Sequence, residues 1–312
     1  MQTKQFGKIG VLAGGPSSER PISLKSGKAV YDALVAQGFD AVLIDVNEDI
    51  YHTIKSSDID VAFIALHGRF GEDGTVQMIL EGAGIPYTGS GVAASRMAID
   101  KIAAKEIFIK NNIPVPKYAV IKNTLVEYPE VYALGFPVVV KPQFEGSSIG
   151  LSVVGSKEEL AGAISKALRF GGNVLVEQFI EGRELTVGIL SDKPLPVIEI
   201  AAKNKIYDFS AKYSDPDTEY IVPAKIGKEA SEEAQDLAKR AHHALGCRGF
   251  SRVDMLMDGE GRFYVLELNT IPGMTERSLL PKAAGVKGLD FNGLCVKLLE
   301  EALGKDGKAK KE

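Results

Sequence analysis

The sequence predicts a protein of mixed α/β and α+β class in three parts, the first built on an open parallel sheet. Three observations carry this. Short apolar runs alternate with segments of helical period through the first third, the order that gives parallel strands with helices on their faces. The chain of 312 residues is longer than one core of about 100–200 residues, so it divides. Later strands cluster in groups, one of them an obvious hairpin, which suits α+β units.

In chain order, residues 8–12 read as a buried strand running into Gly14-Gly15. Residues 20–37 carry helical spacing, with Ala29, Val30, Ala33 and Leu34 on one side. Strands are expected at 39–46, 61–67 and 85–88, and a short helix at 75–82. Ligands on such sheets collect at the carboxyl ends of the strands. Three polar segments sit there: GGPSSER, HGRFGEDG and TGSG.

A boundary falls near Ser95. A helix over 95–111 ends before Pro114-Val115-Pro116. Strands at 118–121 and 137–141, the loop EGSSIG, a strand at 152–154, a helix at 157–170 and a strand at 173–178 make a second unit. The third holds several strands, the polar stretch AKYSDPDTEYIVPA, a helix at 231–245, a hairpin over 250–269 and a helix at 291–303. A long irregular stretch inside a compact domain reads as a lid. The expected division is 1–95, 96–183 and 184–303, with a polar tail at 304–312.

Composition narrows the function. Hydrophobic residues make up 45% and charged residues 25%, a globular balance. A net charge of −4 offers no basic field for nucleic acid. No run approaches the roughly 18 apolar residues of a membrane span. The N-terminal run ends in glycines and reads as a strand rather than a signal peptide. Cys247 and Cys295 have no metal spacing, read as core residues, and fit a reducing cytosol.

The strongest chemical signal is the hairpin SRVDMLMDGEGRFYVLELNT. Residues two apart in a strand share a face, so Arg252 pairs with Asp254 and Glu267 with Asn269. Setting Met257 against Arg262 across the turn places Arg252 opposite Glu267, with all four polar groups on one side. Two carboxylates and an amide oxygen suit magnesium, and an arginine beside them can hold an oxyanion. The plainer alternative is a solvated face with a surface ion pair. A second signal is VVVKPQFEGSSIG, where a strand delivers Lys141 to a loop whose amides and Ser147 and Ser148 hydroxyls can cradle phosphate. The alternative there is an ordinary turn. In NVLVEQFIEGRELTVG, Phe179-Ile180 offers backbone groups to an adenine edge, against the alternative of a solvated acidic loop.

Taken together, GGPSSERPISLKSG, IALHGRFGEDGTVQ, PYTGSGVAASRMAIDK, VVVKPQFEGSSIG, the AKY of the lid, RVDMLM and ELNTIPGMTERSLLP resemble, in order, the D-alanine–D-alanine ligases of the ATP-grasp superfamily. The resemblance spans the chain to about residue 303. It implies a three-domain ATP-grasp fold with ATP between the central and C-terminal domains. Lys101 and Lys141 match lysines on the ATP phosphates. Glu177, Gln178, Phe179 and Ile180, with Glu184, match the adenine and ribose segment, and Ser147, Lys212 and Leu266 also match ATP contacts. Asp254, Glu267 and Asn269 match ligands of two magnesium ions, with manganese as a substitute. Glu19 matches the residue on the first D-alanine's ammonium and His67 another group at that substrate. Glu19, Ser147 and Tyr213 match a hydrogen-bonded triad. Arg252 and the Gly273 backbone match the oxyanion site. Lys212, Ser278 and Leu279 match groups around the second substrate.

The implied activity is ATP-dependent synthesis of D-alanyl-D-alanine for peptidoglycan, in the cytoplasm. The family is often dimeric through its first domain. A related ligase using D-lactate, D-serine or another amino acid is the alternative, and the lid Tyr213 counts against D-lactate. A regulatory protein without catalysis would lack one of Arg252, Asp254, Glu267 or Asn269, and all are present. Three features depart from the family pattern. Pro21 is expected to delay the first helix. Gln178 stands where lysine is common, and Gln143-Phe144 are unusual loop residues.

Overall fold

A computed structural model of the chain describes residues 6–47, 49–124, 127–201 and 218–304. Most of the expected lid, including Lys212 and Tyr213, lies outside the described residues, as does the tail after Gly304.

The first part comprises β1 (Ile9–Gly14), α1 (Arg20–Ala36), β2 (Ala41–Val46), α2 (Ile50–Ser56), β3 (Val61–Ile64) and α3 (Thr75–Ala83). Its strands are parallel in the order β2-β1-β3. Residues 85–88 do not form the expected fourth strand; they contribute one parallel bridge, Ala62 to Tyr87. Pro86 has no N–H to donate. The Thr88 hydroxyl instead accepts the Ile64 N–H at 3.0 Å, so a side chain takes a rung of the ladder. Pro21 does not delay α1. It lies in the first turn, where an N–H has no intrahelical partner to lose.

The helix expected over 95–111 is two helices, α4 (Val92–Ile99) and α5 (Lys101–Lys110). Asp100 separates them. Its backbone is extended and its carboxylate accepts the Ile102 and Ala103 amides at 3.0 and 3.1 Å, a cap that starts a new helix.

An antiparallel sheet in the order β4-β7-β5-β6 follows, from β4 (Tyr118–Ile121), β5 (Val138–Pro142), β6 (Ser152–Val154) and β7 (Val174–Gln178), with α6 (Pro129–Tyr132) and α7 (Lys157–Leu168). Val138, Val140 and Val176 alternate inward against Leu160 and Ile164.

The largest sheet has the order β11-β10-β8-β12-β13, with β9 beside β8. Its strands are β8 (Gly182–Leu190), β9 (Lys193–Pro194), β10 (Ile198–Ala201), β11 (Glu219–Ile221), β12 (Phe250–Asp258) and β13 (Phe263–Asn269). Helices α8 (Lys228–Ala244), α9 (Leu279–Val286) and α10 (Phe291–Leu303) complete the described chain. Ala98 and Phe108 from α4 and α5 pack with Leu237 of α8 against Val253 and Val265. Leu294 and Leu298 of α10 return to join Val30, Leu34 and Phe63 of the first part. Each such fully buried aliphatic side chain contributes about 1.5–3 kcal/mol, so these two clusters tie the first sheet and helices α4, α5, α8 and α10 to the largest sheet.

The hairpin register differs from the sequence expectation. Met257 faces Phe263, not Arg262, and Arg252 lies opposite Asn269 while Asp254 lies opposite Glu267. Two things cause the shift. The Asp258 carboxylate accepts the Glu260 and Arg262 amides at 2.9 and 3.0 Å, which widens the turn. The register also slips between Asp254 and Met255, whose partners are Glu267 and Val265, so Leu266 is an extra residue on β13. The combined slip is even, and the four polar side chains keep a common face.

Candidate active site

A cavity of about 420 Å³ lies between the four-stranded and largest sheets. That is room for a nucleotide-sized molecule. Lys141 comes from β5, residues 177–184 from the end of β7 into β8, and Asp254, Leu266 and Glu267 from the hairpin. Ser148 and Ile149 of the glycine-serine loop also line it.

Charge is concentrated at one end. The Lys101 Nζ stands 3.6 Å from Glu267 Oε2 and also donates to the Glu145 carbonyl. Lys141 Nζ lies 2.5 Å from Glu177 Oε2. Glu177 is only 1% exposed, so it is a buried charge anchor rather than a solvated loop acid. Its other oxygen meets Lys105 Nζ at 2.5 Å. Burial alone pushes the Glu177 carboxyl up, but the two lysines outweigh this and hold it at about 2. Burial lowers the Lys105 ammonium, opposed by Glu177; at Lys141 the same carboxylate wins and the shift is upward.

The backbone between the strands is also committed. The Gln178 amide donates to Lys117 O at 2.8 Å and the Phe179 amide to Pro137 O at 3.2 Å. The amides of Gln178 and Phe179 are therefore already used within the fold. Glu184 lies across the cavity on β8. Gln143 has a structural job: its side chain joins Asp100 at 2.9 Å to the Asn173 amide at 2.9 Å.

On the hairpin face, Arg252 grips Asp254 with two bonds of 2.8 and 2.7 Å. Thr186 donates to the same carboxylate at 2.6 Å, and the Asn269 Nδ2 donates to it at 3.1 Å. Among the described residues, no three His, Cys, Asp or Glu side chains converge as a metal cage. Asp254, Glu267 and the Asn269 amide oxygen fit a different arrangement. They form a hard-oxygen set on one face, open to a cavity that can supply further oxygens from a phosphate or water, as magnesium prefers.

A second cluster adjoins this face. The Ser147 hydroxyl donates to Glu19 Oε1 across a long stretch of sequence. Ser147 and Ser148 have φ of 50° and 58°, left-handed values that turn the loop back on itself. Gly68, with φ of +69°, approaches Glu19 so closely that a Cβ there would stand 2.7 Å from Oε2. Two of the three polar strand-end segments thus meet at Glu19, and the Ser17 hydroxyl ties them by donating to His67 O at 2.7 Å. The third, TGSG, is used elsewhere: Gly89 O accepts from Arg248.

His67 is buried and its pKa is lowered by burial. Its Nδ1 contacts Ile271 O at 3.0 Å, and a carbonyl only accepts, so Nδ1 carries the proton and Nε2 takes the Ser26 hydroxyl at 2.9 Å. Ser26 in turn accepts the Met274 amide at 3.3 Å. Gly273 lies beside Ser278, whose hydroxyl would be 3.1 Å from a Cβ there. That hydroxyl accepts the Thr275 amide at 3.0 Å. Leu279 opens α9 with its side chain in the core.

Two residues here were absent from the sequence expectations. Lys105 reads as an ordinary helix lysine; its position one turn after Lys101 was the available signal. Glu72 lies in HGRFGEDG and accepts the Gly68 and Ile271 amides at 2.7 and 3.4 Å. Burial and then the Glu19 charge raise its carboxyl to about 8, so it is protonated at neutral pH. The cysteines are core residues, as expected: burial pushes both thiols up to about 12.

Comparison with known proteins agrees with this geometry. Residues 107–300 match the family model for the D-ala D-ala ligase C-terminus, and residues 50–90 that for the N-terminus. The chain is 51% identical over 299 residues to a D-alanine–D-alanine ligase of Geotalea uraniireducens, covering 95% of each. It is 45% identical over 307 residues to that of Pseudomonas putida, covering 98% of this chain and 96% of the other. Among solved structures, the Bacillus anthracis D-alanine–D-alanine ligase complexed with ATP superposes with a TM-score of 0.84 at 35% identity, over 95% and 97% of the chains. The VanG D-Ala:D-Ser ligase of Enterococcus faecalis gives 0.82 at 31%, over 95% and 99%. The chain belongs to the D-alanine–D-alanine ligase family, whose members are ATP-dependent ligases.

Proposed function

We propose that this protein joins two D-alanine molecules into D-alanyl-D-alanine with hydrolysis of ATP to ADP and phosphate. The observation that carries the reading is the position of the Arg252–Asp254–Glu267–Asn269 face, which connects the nucleotide-sized cavity to the Glu19 cluster.

ATP takes the cavity, with adenine against residues 178–180 and Leu266, ribose at Glu184, and phosphates toward Lys101, Lys141 and the Ser147 loop. Lys212 of the lid adds a further phosphate contact. Asp254, Glu267 and Asn269 would hold two magnesium ions, or manganese, which supply neutralisation of phosphate charge. The first D-alanine lies near Glu19 and His67, its ammonium held by the Glu19 carboxylate. Its own carboxylate attacks the γ-phosphorus, and the bond from that phosphorus to the ADP oxygen breaks. The amine of the second D-alanine then attacks the acyl carbon, loses a proton, and phosphate leaves. Arg252 and the Gly273 amide stabilise the oxyanion formed in that attack. Ser278, Lys212 and the Leu279 amide, at the start of α9, hold the second carboxylate. Glu19 and Ser147, hydrogen-bonded to each other, are two members of the triad that the family resemblance completes with Tyr213, which lies outside the described residues; that triad serves to keep water from the acyl-phosphate.

The parts 1–95, 96–183 and 184–303 serve as substrate domain and the two halves that clasp ATP. The product feeds peptidoglycan precursors in the cytoplasm, and the enzyme works as a homodimer. Among the described residues no helix is long and apolar enough to cross a membrane. The test is ADP release with ATP, magnesium and D-alanine alone, or with D-lactate or D-serine added, with products identified by mass. The dipeptide from D-alanine alone supports the reading. Turnover only with an added second substrate would replace it with a D-lactate or D-serine ligase.

A further inference from the structure

Lys105 stands on α5 one turn after Lys101, and the two lysines have different surroundings. Lys101 opens on the cavity. Lys105 is 1% exposed and sits behind the cavity wall. Its Nζ touches two groups of the wall: Glu177 Oε1 at 2.5 Å and the carbonyl of the bulged Leu266 at 3.4 Å. Lys141, which faces the cavity, holds the remaining Glu177 oxygen at 2.5 Å.

Charge counting gives this arrangement a consequence. Glu177 and Lys141 alone would be a neutral pair, and the cavity would lose most of the lysine's attraction for phosphate. A second ammonium behind the carboxylate balances Glu177 and leaves the triad with one net positive charge. That charge is expressed at Lys141, the member open to the cavity. Tying both carboxylate oxygens also fixes the plane of Glu177, and so the direction from which Lys141 is held. A buried lysine is unfavourable without such partners, so a purely structural filler at this position would more economically be methionine or leucine.

We propose that Lys105 is a positioning residue for the nucleotide: by balancing Glu177 from behind the wall, it gives Lys141 both its place and its net charge toward the polyphosphate. This rests on reading the cavity as the ATP site. Lys105 touches neither nucleotide nor amino acid, and its effect scales with the number of phosphates rather than with adenine.

The test is calorimetric binding of adenosine and of ADP to the full chain, for the wild type, Lys105→Met, and Lys105→Met combined with Glu177→Gln. Lys105→Met is expected to weaken ADP about tenfold while adenosine binding and the KM for D-alanine change less than about twofold. The double variant removes the carboxylate that neutralises Lys141, so its ratio of ADP to adenosine affinity is expected within about threefold of the wild type, whatever Glu177 itself contributes to adenosine. It also leaves no uncompensated carboxylate in the wall, and it provides a folded background if the single variant is unstable. Equal losses for adenosine and ADP, an unchanged ADP affinity in Lys105→Met, or a double variant whose ADP-to-adenosine ratio is still about tenfold low would each overturn the role of Lys105. A wild-type protein that binds no ADP would instead overturn the nucleotide reading of the cavity.

Discussion

Glu177 and Glu72 are both enclosed carboxyls at the two ends of one site, and their surroundings shift them in opposite directions. The Glu177 carboxyl is held at about 2, whereas that of Glu72 is raised to about 8. Burial pushes both in the same direction. The difference lies in what each oxygen faces: two lysine ammoniums at Glu177, two backbone amides and the Glu19 carboxylate nearby at Glu72. Burial raises Glu72 with no cation among the described residues at hydrogen-bond distance to oppose it, whereas at Glu177 two ammoniums overturn the same push. The result suits the chemistry assigned to each end. The nucleotide end gathers positive charge for phosphates. On the proposed reading, the Glu19 end, where the Glu72 carboxyl is raised, keeps one carboxylate for the substrate ammonium.

The largest expected effect comes from breaking the nucleotide end. Glu177→Gln leaves Lys105 and Lys141 buried together without their carboxylate, and removing one partner of a buried pair costs about 3–5 kcal/mol. A urea titration should show that loss, and an unchanged midpoint would mean that the lysines are not balanced by Glu177. Next comes Arg252→Met, at the face between the two ends. It removes the proposed oxyanion donor and should lower kcat by about 10²–10³-fold. ADP affinity should stay near normal, and a kcat within a few-fold of wild type would remove Arg252 from the acyl-transfer step.

Glu19→Gln acts on the other end. It deletes the charge proposed to face the substrate ammonium, so the KM for D-alanine should rise by about tenfold or more, roughly 1.5–3 kcal/mol of charged hydrogen bonding. ADP binding should not change; a parallel loss of ADP affinity would show that the two ends are not separable. The smallest effect concerns Glu72 itself. Its folded pKa of about 8 exceeds the ordinary 4.5 of the unfolded carboxyl. The stability it contributes is therefore complete below 4.5 and is lost as pH rises toward 8. Glu72→Gln, which cannot ionise, should gain on the wild type between pH 6 and pH 8.5 in thermal unfolding. Curves that stay parallel across that range would place Glu72 among ordinary carboxylates.

Much of the fold was legible because it depends on local periodicity. The alternation in residues 250–269 predicts a hairpin whose Arg252, Asp254, Glu267 and Asn269 share a face, and the structure keeps that face. The strand that delivers Lys141 and the loop that follows were visible for the same reason. The cross-strand partners were not, because a side chain, Asp258, widens the turn and an extra residue, Leu266, slips the register. Residues 85–88 look like a strand, but Pro86 and the Thr88 hydroxyl reduce them to a single bridge. The split between α4 and α5 turns on the Asp100 cap, a signal that a continuous apolar stripe conceals.

By itself the sequence determined which residue types stand at strand ends, which of them share a face, and, through ordered motifs, the family. Only the tertiary structure decided that Lys105 and Glu72 belong to the site, and which carboxyls are ionised. The physical reason is that a strand's side-chain alternation is a property of neighbouring residues, while the charge on Glu177 or Glu72 depends on groups that only folding brings within a few ångströms.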